Sequence, residues 1–233
     1  MNLENRDVPP ADMTAADRLK TVAIGAASAA KTAGQQAGEQ PTPTLVDMQT
    51  VEAITADWPK MSKSAVEEIV GKYGPPNEAM DSRLIWYNNG PWKRTICYRD
   101  EVPHLFPNPH SDTLECVIDY RVPPEMFSEL AKFDGSVIVD RTKGEVAARC
   151  DMESADFLAI NLMHKIVTGE MDAEEARKVY TETAAAYVLS RSAPLAEGFV
   201  FQLPQEDTNF KDTTTIAGAM ARQTVGKVKD ALT

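Results

Sequence analysis

No run of about 18 uninterrupted apolar residues occurs in this chain, so no membrane-spanning helix is expected. The first residues, Met-Asn-Leu-Glu-Asn-Arg-Asp, lack a basic stretch followed by an apolar one, so no secretory leader is expected either. Cysteine is scarce: Cys97, Cys116 and Cys150 are an odd number, far apart in the sequence. That excludes a disulfide framework and predicts buried thiols in a reducing compartment, the cytoplasm. Positive charge is also short. A net charge of −11 repels a nucleic-acid backbone, so no nucleic-acid partner is expected. Asp134-Gly135-Ser136 and Thr142-Lys143-Gly144-Glu145 read as turns, without the glycines or the following helix of a phosphate loop. No repeat with a period of about 20–50 residues is present, which excludes a solenoid.

Aromatic residues are missing from both ends. Residues 1–57 contain none and residues 205–233 contain only Phe210. Residues 58–204 hold the rest, together with every Cys and His. The ends therefore read as arms, the first with a Pro-rich linker at Gln40-Pro41-Thr42-Pro43-Thr44. The middle, about 145 residues, is long enough to bury a core of its own.

Within the middle, Val66, Ile69, Val70 and Tyr73 recur at helical spacing, and Gly74-Pro75-Pro76 stops the helix. Ser64 and Glu67 form a capping-box pattern, which predicts a helix over Ala65–Tyr73. Arg83–Asn88 and Trp92–Arg99 flank Asn88-Asn89-Gly90-Pro91, a hairpin signal. Further strands are predicted at Leu114–Val122, Ser136–Arg141 and Glu145–Cys150, the last two joined by Thr142-Lys143-Gly144. Helices are predicted at Ser154–Thr168 and from Asp172 to about Ser190, then a last strand at Gly198–Leu203. This order predicts an α+β domain: a mostly antiparallel sheet of about five strands, with one helix before it and two after. The segment from Tyr73-Gly74-Pro75-Pro76 to Arg83-Leu84-Ile85-Trp86-Tyr87 resembles the helix–turn–hairpin opening of outer-membrane assembly lipoproteins. The resemblance spans about 30 residues and implies a local arrangement, not a function.

One stretch carries residues suited to a metal. His104 and His110, with Asp112, fall in the longest connection of the domain, stiffened by Pro107 and Pro109. Imidazoles and a carboxylate are divalent-metal ligands when a rigid frame makes them converge. Glu101, Glu115 and Asp119 are the nearby carboxylates that could complete such a set. A cysteine beside His104 or His110 could form a thiolate–imidazole pair. Asp151, Glu153 and Asp156 read as first-turn partners of a helix dipole. His164 reads as a partly buried histidine. Trp86, Trp92 and Tyr98 with Lys93, Arg94 and Arg99 read as core plus solvated charge.

The C-terminal arm puts Met220, Val225, Val228 and Leu232 on one half of a helical wheel. Such a face fits a groove on a protein partner, or on a second copy of the chain. The leading expectation is therefore a non-catalytic interaction or structural protein without a cofactor. The alternative is a metal-dependent enzyme using His104, His110 and Asp112.

Overall fold

A computed structural model describes residues 13–32, 41–220 and 222–223. Two compact units divide at residues 38 and 39. In the first, helix α1 (Ala15–Thr32) has no buried residue. Its start is a reciprocal cap: the Asp17 amide donates to Thr14 Oγ1 and the Thr14 amide to Asp17 Oδ2.

The second unit is α+β. Six strands form one antiparallel sheet in the order β1-β2-β3-β4-β6-β5. They are β1 (Glu78–Met80), β2 (Arg83–Tyr87), β3 (Arg94–His104), β4 (His110–Asp119), β5 (Val137–Asp140) and β6 (Glu145–Cys150). The helices are α2 (Met48–Thr55), α3 (Lys60–Tyr73), α4 (Phe127–Phe133), α5 (Glu153–Val167), α6 (Ala173–Val188) and α7 (Pro194–Glu197). No helix among the described residues is long and apolar enough to cross a membrane.

Strand alternation divides the sheet into two faces. Leu84, Trp86, Cys97, Leu114, Cys116, Ile118, Val146 and Ala148 share one face and join Ile69 of α3 and Phe157, Leu158, Leu162 and Met163 of α5 in the core. A large side chain buried there contributes roughly 1.5–3 kcal/mol. On the opposite face, Ile85, Ile96, Val117 and Ala147 lie among charged pairs. Arg94 donates to Glu145, and Arg149 to Glu115, which also accepts from the Tyr98 hydroxyl.

The turns follow their residues. Asn88 and Gly90 have φ of 51° and 63° and join β2 to β3, and Gly144 has φ of 70° between β5 and β6. Asp172 caps α6 by accepting from the Glu175 amide. Cys97, Cys116 and Cys150 are free and buried.

Several expectations need correction. Helix α3 starts at Lys60 with Pro59 at its N-cap, so Ser64 lies inside the helix and caps nothing. The short edge strand β1 was not anticipated. The sheet has six strands rather than about five, and β6 lies between β4 and β5. Residues 198–203 form no strand. Asn161 of α5 takes their polar groups instead: its Nδ2 donates to Leu195 and Gly198 carbonyls, and its Oδ1 accepts from the Val200 amide. Phe199 and Phe201 then pack on Trp92, Phe157 and His164.

Both flanks of the sheet domain touch it. Asp47 caps α2, whose Val51 is buried in the core. The Val46 amide donates to the Pro76 carbonyl, and Asn77 donates to Thr42. At the other end, residues 207–212 form a strap against the β5–β6 turn. Arg121 donates to the carbonyls of Asp207, Thr208 and Asn209. Phe210 has the Arg121 and Arg141 guanidiniums 5.2 and 5.0 Å from its ring centre. Arg141 pairs with Asp212, and Thr208 Oγ1 donates to the Gly144 carbonyl. A Cβ on Gly144 would lie 2.3 Å from the Thr208 backbone, so only glycine fits under the strap.

Candidate metal centre

The stretch from His104 to Asp112 is the end of the β3–β4 hairpin rather than a long loop. Pairing runs Cys97↔Leu114 and resumes at Val102↔Asp112. Five steps on β3 therefore oppose two on β4, a bulge that redirects the strand. Beyond it His104 pairs with His110, and their rings lie 4.8 Å apart. Asp112 follows His110 on the same face of β4. One donor atom from each of His104, His110 and Asp112 lies within 4.8 Å of the other two.

The pairing of the remaining polar atoms decides which donors converge. His110 Nδ1 is 2.8 Å from the Asn108 carbonyl. A carbonyl can only accept, so Nδ1 carries the proton and Nε2 is left facing Asp112 Oδ1 at 3.3 Å. His104 Nε2 faces Asp134 Oδ1 at 3.8 Å, which favours the proton on that nitrogen and turns Nδ1 to Asp112 Oδ1 at 3.4 Å. Ser136 Oγ donates to Asp112 Oδ2 and lies 3.4 Å from His104 Nδ1. Asp112 Oδ1 is buried and accepts no hydrogen bond. So His110 and Asp112 each have an outer atom held by a hydrogen bond and an inner atom facing the set, while the outer nitrogen of His104 stands 3.8 Å from Asp134. Outer partners of this kind orient metal ligands.

Two of the three separations suit a small cation. Nitrogen and oxygen ligands about 2.0–2.1 Å from a tetrahedral zinc ion stand about 3.3–3.4 Å from one another. The two separations that involve Asp112 Oδ1 have that length.

The electrostatics favour the charged pair of His110 and Asp112, which a cation would have to displace. The Asp112 carboxylate facing His110 raises the His110 pKa against the opposing effect of burial. Burial works to raise the Asp112 carboxyl, but His110 and Ser136 outweigh it and hold it below its usual value. Burial pushes the neighbouring Asp134 up, opposed by the Ser136 amide that donates to it.

The other expected residues separate. Glu115 is engaged by Arg149 and Tyr98 on the opposite face, and Asp119 pairs with Lys93 at the far end of β4. Glu101 is exposed and accepts from Met61 and Ser111. Cys150 Sγ lies 3.4 Å from His110 Nε2, but burial drives its thiol pKa well up, the reverse of an activated nucleophile. Asp134 and Ser136 were read only as turn residues. They reach the site because β5 lies beyond β6.

Glu153 and Asp156 lie in the first turn of α5, and both are buried there. Glu153 accepts from Trp92 Nε1 at 2.6 Å, from the Tyr73 hydroxyl and from Lys72. Asp156 is fully buried and neither oxygen has a hydrogen-bond partner. Trp86 and Trp92 are core residues, and Trp86 Nε1 donates to the Gly74 carbonyl. His164 Nδ1 pairs with the Tyr120 hydroxyl at 2.8 Å. In the C-terminal arm residues 216–220 and 222–223 are helical, with Met220 exposed. Val225, Val228 and Leu232 lie outside the described residues.

No family model, curated protein or solved structure matches the chain.

Proposed function

We propose that this is a metal-binding protein that holds a divalent ion of the zinc class at His104, His110 and Asp112. The observation that carries this reading is Asp112 Oδ1: a buried carboxylate oxygen with no hydrogen bond, facing two imidazole nitrogens. A buried carboxylate oxygen left unanswered is costly. Two imidazoles with a single carboxylate favour zinc and its transition-metal neighbours over calcium or magnesium, which prefer oxygen cages. The competing account is a plain ion pair between protonated His110 and Asp112.

Elemental analysis after zinc loading should find one ion per chain. At a hundredfold excess over the dissociation constant, binding adds about 2.7 kcal/mol, a rise of about 5–10 °C in Tm. Asp112→Asn should abolish both the ion and the shift. A wild-type chain that keeps no zinc and shows no zinc-dependent Tm change leaves the ion pair as the whole account.

A second reading concerns the C-terminal arm. Ile216 and Met220 are exposed one helical turn apart, which supports docking onto a protein partner or a second copy. Removing residues 213–233 should change the mass measured by light scattering; an unchanged mass rejects self-association. The free buried cysteines support a reducing compartment, the cytoplasm, as the place where the protein works.

A further inference from the structure

Three protein ligands leave a tetrahedral ion one position short. In catalytic centres water fills that position. We propose that Cys150 fills it here, so that the ion is held by four side chains and fastens the β3–β4 hairpin to the end of β6. This inference rests on the metal reading above.

The sulfur already stands next to the set. Sγ lies 3.4 Å from His110 Nε2. A sulfur about 2.3 Å and a nitrogen about 2.0–2.1 Å from one tetrahedral zinc ion stand about 3.6 Å apart. Strands β4 and β6 are neighbours, and Cys150 pairs with Leu114, two residues from Asp112 and on the same face. The sulfur stands beside His110 and outside the group the three donors form, so joining them requires a movement of the Cys150 side chain.

Its rivals are occupied. Ser136 Oγ is committed to Asp112 Oδ2. Asp134 Oδ1 accepts from the Ser136 amide at 2.8 Å and faces the outer nitrogen of His104. Cys150 is buried, so water has little access from its side. The Cys150 thiol also has Asp151 Oδ1 at 3.5 Å and the Tyr180 hydroxyl beside it, contacts that an ion would have to replace. Thiolate and imidazole together are a zinc-class ligand set. As the sulfur lone pair bonds to the ion, the thiol proton leaves to solvent, and no oxidation state changes.

Cobalt(II) in place of zinc provides the test on the full chain. Tetrahedral cobalt gives intense visible d–d bands, and a thiolate ligand adds a sulfur-to-cobalt charge-transfer band in the near ultraviolet. The wild type should show both. Cys150→Ser should keep the d–d bands, lose the charge-transfer band, and bind at least 10–100-fold more weakly, the range that outer partners alone are worth. Cys116→Ser should keep both bands. X-ray absorption on the zinc-loaded wild type needs no variant and should show one sulfur at about 2.3 Å. Visible bands without the charge-transfer band in the wild type, or a zinc shell without sulfur, overturn the role of Cys150 while leaving the three-ligand site standing. An absence of any cobalt spectrum overturns the metal reading, and this inference with it.

Discussion

Glu153 and Asp112 are both buried carboxylates, at 2% and 6% exposure, yet their surroundings differ in kind. The Glu153 carboxylate accepts from an indole N–H, a phenol and an ammonium. Around Asp112, one oxygen has the Ser136 hydroxyl and the other has two imidazole nitrogens and no hydrogen bond. The first cluster is complete as protein. In the reading proposed above, a cation completes the second. Burial alone does not mark a binding site; the chemistry of the facing atoms does.

The comparison can be broken most severely at its closed end. Glu153→Ala strands the Trp92 N–H and the Tyr73 hydroxyl and should cost about 3–5 kcal/mol, as expected when one member of a buried charged cluster is removed. Urea denaturation measures the loss. Zinc affinity of the folded variant should stay within about twofold of wild type, because separate sites act additively; a larger drop would join the two clusters into one.

Asp156 sharpens the contrast, since its unpartnered carboxyl has no imidazole pair to share an ion with. Burial pushes its pKa well above the ordinary value. The folded chain therefore keeps this proton while the unfolded chain releases it near pH 4, so stability falls as pH rises from there toward the folded pKa. Asp156→Asn removes that slope and should be more stable than the wild type at pH 7. The two stability curves should converge near pH 4. Parallel curves would mean that Asp156 is ionised in the fold.

The smallest effect belongs to the strap. Phe210→Ala removes two exposed cation–π contacts and should cost about 1–2 kcal/mol. Faster proteolysis within residues 205–212, with the zinc response intact, is the expected result.

The sheet was legible where local chemistry is decisive. Asn88 and Gly90 announced one hairpin, Gly144 another, and Asp172 the start of α6. The His104, His110 and Asp112 cluster was legible as residue types but not as structure. The bulge after Cys97 and the polar run Arg99-Asp100-Glu101 hide the extension of β3, so a hairpin end read as a loop. Asp134 and Ser136 were illegible as site residues, because β6 inserting between β4 and β5 is a tertiary event. The segment 198–203 looked like a strand by its apolar residues, yet a single side chain, Asn161, competed successfully for its backbone. Strap residues 207–209 carry no sequence signal, since their partner is an arginine that reads carbonyl oxygens.

That last point bears on how freely the tail can drift. Every residue type owns a carbonyl, so Arg121 holds a path rather than a spelling. Side-chain identity matters at Thr208, Phe210 and Asp212, alternate positions of an extended chain, whereas 209 and 211 between them are open to substitution.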